Sequence, residues 1–285
     1  MENEEPKLKG WQRILLLIIP YFVFVGIFQF TGFLMASVDL KSLEAEKTTA
    51  QHLIITFFNF TGTIVLLWFF MVFIDKEKFI NLGFQIKNRF KHIYLGLLLG
   101  FAIMGFGLLI LLAINQVKFL GITFSFKELL FSILIYIFVA ITEEVLFRGY
   151  ILRNFMASFN SYWALLLTSL VFAIAHGANP NMDWFSFLNL FLAGLLLGGT
   201  YIYTKNLWFP IALHFSWNLF QTLFGFNVSG QDFYSLIEFK TTEKNMINGG
   251  DFGFEGSIFS VIVQVLLIGT IWLYFERIKP KKLQH

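Results

Sequence analysis

The sequence contains no cysteine among its 285 residues. A chain without cysteine has no disulfide, no thiol nucleophile and no thiolate ligand for a metal ion. Charged residues are also scarce, at 14%, whereas 57% of the residues are hydrophobic, and this composition excludes an ordinary soluble globular protein. The net charge of +3 is spread between the apolar runs and forms no basic patch. The composition therefore gives no support to a nucleic-acid partner.

Several familiar functional motifs are missing as well. The sequence has no Gly-x-Ser-x-Gly elbow, no His-Glu-x-x-His pair and no phosphate-binding loop. These absences exclude the hydrolases and nucleotide-binding proteins that depend on them. There is also no internal repeat and no pair of interrupted apolar segments, which disfavours a transporter. An enzyme or a binding protein within the membrane remains.

Long apolar runs are what the sequence has in abundance, and about 20 such residues suffice to cross the hydrocarbon core of a bilayer. The predicted spans are 13–37, 52–74, 92–117, 127–157, 160–177, 185–204, 208–226 and 256–276. The first run is too long for a signal-peptide core and is interpreted as a retained helix. We therefore predict an all-α polytopic membrane protein, one integral domain over residues 1–285 that forms a bundle of about eight transmembrane helices. The polar loop Asn227 to Gly256 is predicted to be external and flexible.

The distribution of Lys and Arg predicts how the bundle is oriented. With eight spans, fifteen of the 21 basic residues fall on the side of both termini and six fall on the opposite side. Because basic residues concentrate in cytoplasmic loops, both termini are expected to face the cytoplasm. The expected location is the cell membrane of a bacterium, with membrane lipid as a partner.

An acidic pair follows the apolar run Leu129 to Ile141. An ionised carboxylate is costly in hydrocarbon, so Glu143 and Glu144 are candidate functional residues. Glu144 and Arg148 are four residues apart and can pair on one face of a helix. Glu143 is rotated by about 100° from its neighbour and is left for another partner. The structural alternative is that both carboxylates are solvated at the headgroup boundary.

Two further polar insertions interrupt the apolar pattern. His176 closes the fifth predicted span, whereas His214 and Asn218 lie on one face at the start of the seventh. A single histidine in a membrane helix is more often a packing or hydrogen-bonding residue than a catalytic one. Because each of these side chains alone would be a stranded polar group, we expect them to share one pocket with the acidic pair.

Glu143, His176, His214 and Asn218 could together hydrolyse an amide in two ways. A carboxylate beside one imidazole can take a proton from water, while the second imidazole and the amide donate to the oxyanion. Alternatively, Glu143, His176 and His214 could bind zinc and leave a position for water. The cofactor stays open at this stage. Because thiolates and a local His-x-x-x-His spacing are lacking, the metal-free route is preferred.

The three motifs, Glu-Glu-x-x-x-Arg, Phe-x-x-x-His and His-x-x-x-Asn, resemble those of the CPBP family. This family comprises CAAX prenyl proteases of the Ras-converting type and bacteriocin-processing or immunity proteins, also called Abi. The resemblance covers residues 126–224 and implies an eight-helix endopeptidase, classed as a metalloprotease in some members, with its active site in the membrane. It implies that Arg148 and Phe172 orient the site. It also implies a catalytic set, which consists of Glu143, Glu144, His176, His214 and Asn218.

The resemblance also implies the class of substrate, a peptide or a membrane-anchored protein, including a prenylated CAAX-like one. The alternative is a non-proteolytic scaffold or a bacteriocin self-immunity protein that keeps the same motifs. A geometric expectation accompanies the enzyme hypothesis. Residues 158–161 should form the turn of a helical hairpin that brings Glu143 level with His176, and His214 should enter the same cavity, open to the cytoplasmic side.

Overall fold

The computed structural model describes residues 8–39 and 47–278. The acidic N-terminal tail lies almost wholly outside these residues. So do five of the lysines on which the predicted orientation partly depends, namely Lys7, Lys41, Lys279, Lys281 and Lys282.

The described residues form ten α-helices and two short β-strands. The helices are α1 (Gly10–Pro20), α2 (Gly26–Met35), α3 (Thr49–Phe69), α4 (Phe90–Ala113), α5 (Phe126–Glu143), α6 (Arg153–Met156), α7 (Ser161–Ala175), α8 (Trp184–Thr204), α9 (Trp208–Leu223) and α10 (Ile258–Leu273). The strands are β1 (Val117–Ile122) and β2 (Ile237–Thr241). Four π-helical segments continue the α-helices, namely Tyr21–Val25, Phe70–Ile74, Glu144–Leu152 and Tyr274–Ile278.

Six helical segments are long and apolar enough to cross a membrane, which makes the chain a multi-pass integral membrane protein. They are Gly10–Met35, Thr49–Ile74, Phe90–Ala113, Phe126–Met156, Trp184–Thr204 and Ile258–Arg277. Of the eight predicted spans, six therefore reach this length, and the other two correspond to the shorter helices α7 and α9. At 15 and 16 residues, α7 and α9 extend only about 23 Å, less than the hydrocarbon core of about 30 Å.

One boundary of each short helix is set by a local signal, the start of α7 and the end of α9. Asn160 caps the start of α7 by accepting hydrogen bonds from the backbone N–H groups of Tyr162 and Trp163. Gly225 follows α9 with φ +95°, a left-handed conformation that ends the helix. Hydropathy alone included Asn160 in the predicted span 160–177 and Gly225 in the predicted span 208–226.

The loop before α10 was predicted to be flexible. In the structure it is folded and contains a β-strand. Within it, β2 pairs antiparallel with β1, from Val117 opposite Thr241 to Ile122 opposite Ile237, with an irregularity between Phe119 and Gly121. The prediction also assigned the start of β1 to the third span, which was drawn to Val117, the last residue before Lys118. This ribbon joins the α4–α5 connection to the loop that precedes α10.

The predicted hairpin is present, since a turn joins α6 to α7 and the arms run from α5 and from α7. Glycine residues allow close packing between α8 and the arm α7, and also between α4 and α9. A Cβ atom on Gly194 of α8 would lie 2.8 Å from the Cα atom of Ser169 on α7. A Cβ atom on Gly100 of α4 would lie 2.6 Å from the backbone nitrogen of Trp217 on α9. Both glycines belong to the Gly-x-x-x-Gly pairs of the sequence, and they serve helix packing.

The π-helix Glu144–Leu152 lies at the centre of the bundle, and all nine of its residues are buried. Val145, Tyr150 and Leu152 within it are part of the largest apolar cluster, which also draws on α3, α7 and the segment before α9. Segments of π-helix are rare and occur frequently at functional sites. This one begins at the second residue of the acidic pair.

Candidate active site

The acidic pair straddles the junction of two helical geometries. Glu143 is the last residue of α5, and Glu144 is the first residue of the π-helix. Glu144 is fully buried, and its Oε1 atom lies 2.8 Å from Nη1 of Arg148, which is itself 1% exposed. The ion pair expected from the spacing of four residues is therefore present, and it is buried rather than solvated at a boundary.

Three groups surround the Arg148 guanidinium. Its Nη1 atom donates to Glu144, and its Nη2 atom lies 3.4 Å from the backbone oxygen of Gly194 on α8. Its plane lies over the ring of Phe172 on α7, 4.5 Å from the ring centroid. Arg148 thereby ties the π-helix to α7 and α8.

His214 is the second partner of the buried carboxylate. Its Nδ1 atom lies 2.8 Å from Oε1 of Glu144, the same oxygen that Arg148 contacts. An ionised carboxylate only accepts hydrogen bonds, so Nδ1 of His214 carries the proton and Nε2 faces the interior. The sequence analysis placed both residues in the site but did not predict that they contact each other.

His176 is held by the residue that opens its own motif. Its Nδ1 atom lies 2.8 Å from the backbone oxygen of Phe172. Because a carbonyl oxygen only accepts, Nδ1 donates this hydrogen bond, which leaves Nε2 directed away from its own helix. The rings of the two residues are also in contact, with centroids 4.5 Å apart.

Glu143 faces the two histidines from the other arm of the hairpin. Its Oε2 atom lies 3.6 Å from Nε2 of His176 and 3.9 Å from Nε2 of His214. The same oxygen is buried and accepts no hydrogen bond from the described residues. A buried acceptor without a partner is costly and is uncommon in a purely structural role. The carboxylate is therefore positioned to bind something that is not part of the chain.

Asn218 completes the group on α9, one turn beyond His214. It is 5% exposed and lines the same cavity as the other three side chains. Within residues 8–39 and 47–278 no hydrogen bond is formed by its side-chain amide. The structure thus brings together the four residues that the sequence assigned to one pocket.

The cavity that these residues line has a volume of about 1670 Å³. At one end it is lined by the hairpin turn, including Ser158, and by Lys9 before α1. This is the end at which the cavity was expected to open. At the other end its lining includes Ser229 and Glu255, from the loop before α10. The walls between are mostly apolar, and α1, α3, α5, α7, α8, α9 and the π-helix all contribute to them.

Glu255 is an acidic lining residue that the sequence analysis did not single out. Its Oε2 atom accepts hydrogen bonds from the backbone N–H and the hydroxyl group of Ser229, at 2.9 and 2.7 Å. Burial raises the pKa of the Glu255 carboxyl, and the hydrogen bonds from Ser229 act in the opposite direction. No motif marks this residue, since it lies in a polar loop with several other acids.

Zinc was the alternative left open by the sequence. Each histidine has its Nδ1 atom fixed by an acceptor, as metal ligands commonly have, and Glu143, His176 and His214 would supply the donors. Among the described residues, however, no group of three His, Asp or Glu side chains has the arrangement of a metal site. The chemistry of the site is therefore derived from the side chains and water.

Comparison with known proteins places these motifs in a family. Residues 125–220 match the family model described as Type II CAAX prenyl endopeptidase Rce1-like. The chain is also 32% identical over 104 residues to an uncharacterized 24.3 kDa protein of Escherichia coli, a match that covers 35% of this chain and 47% of that protein. The match thus spans about half the length of this curated relative. No solved structure matches the chain.

The family match confirms the resemblance seen in the three motifs. The matched residues run from the cap of α5 to the last turns of α9, and so include both arms of the hairpin and the helix of His214. Residues 125–220 of this multi-pass membrane protein therefore form a domain of the Rce1-like family of type II CAAX prenyl endopeptidases, a family of hydrolases.

Proposed function

We propose that the protein is an intramembrane endopeptidase in which Glu143 activates a water molecule for attack on a peptide bond. The observation that carries this proposal is the position of the Oε2 atom of Glu143. This atom is buried, accepts no hydrogen bond from the described part of the chain and faces two imidazole nitrogens at 3.6 and 3.9 Å. A water molecule bound there would be held by the carboxylate and by a histidine. A carboxylate is a competent general base when its proton donor is within reach.

In the first step, the water oxygen forms a bond to the scissile carbonyl carbon while one of its protons passes to Glu143. His176 holds the same water through its Nε2 atom, because its Nδ1 atom is engaged by Phe172. The π electrons of the carbonyl move onto its oxygen, which becomes an oxyanion. For Glu143 to act as the base while His176 holds the water, the peptide bond must enter between the two arms of the hairpin.

In the second step, the oxyanion must be stabilised and the amine must leave. The donors available on α9 are the Asn218 amide and, when the ring is doubly protonated, the Nε2 atom of His214. In that form Nδ1 donates to Glu144, whose carboxylate balances the charge of the imidazolium while Nε2 donates to the oxyanion. When the tetrahedral intermediate collapses, the carbon–nitrogen bond breaks and the leaving nitrogen takes the proton from Glu143. The carboxylate is thereby restored for the next turnover.

The proposed substrate is a peptide or a membrane-anchored protein, of which a prenylated CAAX-like one is an example. The mostly apolar walls of the cavity favour an apolar segment on at least one side of the scissile bond. The orientation with both termini in the cytoplasm, and a bacterial cell membrane as the location, are part of the same proposal.

The deciding experiment is to incubate the purified protein in lipid nanodiscs with a random peptide library and to identify the cleavage products by mass spectrometry. Cleavage by the unmodified protein, absent from the Glu143→Ala variant, is the expected result. Binding of library peptides without any cleavage would favour the alternative, a non-proteolytic scaffold or immunity protein.

The Asn218→Ala variant is expected to retain measurable activity. Removing one oxyanion donor costs about 3–4 kcal/mol in comparable sites, or about 10²–10³-fold in kcat, while the general base stays in place. The measurement is kcat for one library-derived peptide in the variant and the unmodified protein. An Asn218→Ala variant with the kcat of the unmodified protein would remove this residue from the mechanism.

Hydrolysis is expected to survive metal chelation. The steps above use only side chains and water, so dialysis against a chelator should leave kcat unchanged. Metal analysis of the same sample by mass spectrometry provides the control. Loss of activity on chelation and its recovery with stoichiometric zinc would contradict the metal-free mechanism and assign Glu143, His176 and His214 as ligands.

A further inference from the structure

Glu255 lies in the cavity of the proposed site, yet the hydrolytic steps do not use it. It comes from the loop before α10, whereas every residue of the three motifs comes from α5 to α9. The side chain is partly exposed and lines the cavity together with Ser229. A carboxylate at the wall of a mostly apolar cavity needs a compensating partner, since burial disfavours its charge.

Only one of the two carboxylate oxygens of Glu255 accepts hydrogen bonds from the described residues. Both hydrogen bonds from Ser229 end on Oε2, so the side chain is fixed in one orientation. The Oε1 atom accepts no hydrogen bond from the described residues. None of the ion pairs formed by residues 8–39 and 47–278 joins Glu255 to a lysine or an arginine, although such a pair is the usual partner of a partly buried acid.

The charges that line the cavity are distributed unevenly. Lys9 lies at the opposite end, next to the hairpin turn, and Lys47 lies near His52. The strongest charge interactions of Glu255 are with His176 and His214, not with either lysine. With Glu143 nearby, the part of the cavity between the histidines and Ser229 therefore carries acidic groups and no lysine or arginine of its own.

We propose that Glu255 binds a cationic group of the substrate, a lysine or arginine side chain close to the scissile bond, and so determines specificity. This inference rests on the proposed peptidase function and adds a class of substrate to it. The cationic group would occupy the unpaired Oε1 side of the carboxylate. Its apolar stem would lie against the cavity wall, as long basic side chains do elsewhere. Glu255 thus selects the peptide without taking part in proton transfer.

The test measures binding apart from hydrolysis. A random peptide library is divided, and the lysines of one half are acetylated with an isotopic label, which removes their charge. The mixed halves are equilibrated with the full-length Glu143→Gln protein, and the ratio of amine to acetylated peptides retained is measured by mass spectrometry. We expect amine peptides to be retained at least about tenfold better, since a hydrogen bond to a charged group is worth this much.

The Glu255→Gln substitution in the same background should bring that ratio close to one. The matched control is Glu243→Gln, which removes an exposed carboxylate from the same loop outside the cavity and should leave the ratio unchanged. A ratio near one before substitution, or the same ratio after Glu255→Gln, overturns the assignment. If the unmodified protein cleaves the library without regard to lysine or arginine, the peptidase proposal stands and the role of Glu255 falls.

Discussion

Replacing Glu143 with glutamine is expected to abolish peptide hydrolysis while leaving the stability of the fold unchanged. Removal of a general base typically costs about 10²–10⁴-fold or more in rate. The Oε2 atom of Glu143 accepts no hydrogen bond from the described residues and glutamine keeps the shape of the side chain, so we expect the substitution to break no hydrogen bond of the folded state. The measurements are kcat on a cleaved peptide and the thermal unfolding midpoint in the same nanodiscs.

Glu128 provides a matched control for this experiment. It lies in the first turn of the same helix and outside the cavity, about 22 Å along the helix from Glu143, so Glu128→Gln should leave kcat unchanged. His176→Ala should match Glu143→Gln in activity, because His176 holds the same water. Near-normal turnover by the Glu143→Gln variant would refute the mechanism, whatever its stability.

The Arg148→Ala variant is expected to lose both activity and stability. Truncating one partner of a buried ion pair costs about 3–5 kcal/mol, because the remaining carboxylate stays buried without its counter-charge. Glu144 is fully buried and also accepts a hydrogen bond from His214, so the loss of Arg148 should disturb a histidine of the proposed mechanism as well. The expected readout is a large fall in the unfolding midpoint together with reduced kcat.

Arg153 is the control for a general effect of removing an arginine. It pairs with Glu77 near the surface, where both side chains are partly exposed, and such pairs contribute about 0–1 kcal/mol. The Arg153→Ala variant should therefore have an unfolding midpoint close to that of the unmodified protein. If Arg148→Ala melts there too, the buried pair is not structural, and Arg148 would instead act on the substrate.

The helical hairpin and the choice of site residues could be predicted from sequence because they depend on local spacing. Glu144 and Arg148 are one helical turn apart, and their pairing follows from that alone. Polar residues stranded in three apolar runs have to meet, since hydrocarbon offers them no other partner. Sequence could not show that His214 shares a carboxylate oxygen with Arg148, because this contact depends on how α9 packs against the π-helix.

The errors in the fold prediction have a different origin. Hydropathy measures how apolar a run is and not where its helix stops, so the cap at Asn160 and the turn at Gly225 were counted within spans. The start of β1 was assigned to a helix because the predicted span was drawn past Asn115 and Gln116 to the apolar Val117. Glu255 was not predicted because it is a single acidic residue in a polar loop. Only the folded chain shows that it lines the same cavity as the two histidines.

The shared oxygen of Glu144 has a consequence for how the protein is made. Arg148 lies four residues away and is synthesised almost at once, whereas His214 follows Glu144 by 70 residues. The fixed imidazole on α9 therefore does not exist until most of the chain has left the ribosome and entered the bilayer. It follows that a nascent or truncated chain holds Glu143 and His176 without their oxyanion donors. Under the proposed mechanism, such a chain is expected to be inert toward neighbouring membrane proteins, and proteolytic capacity is expected only when membrane insertion is nearly finished.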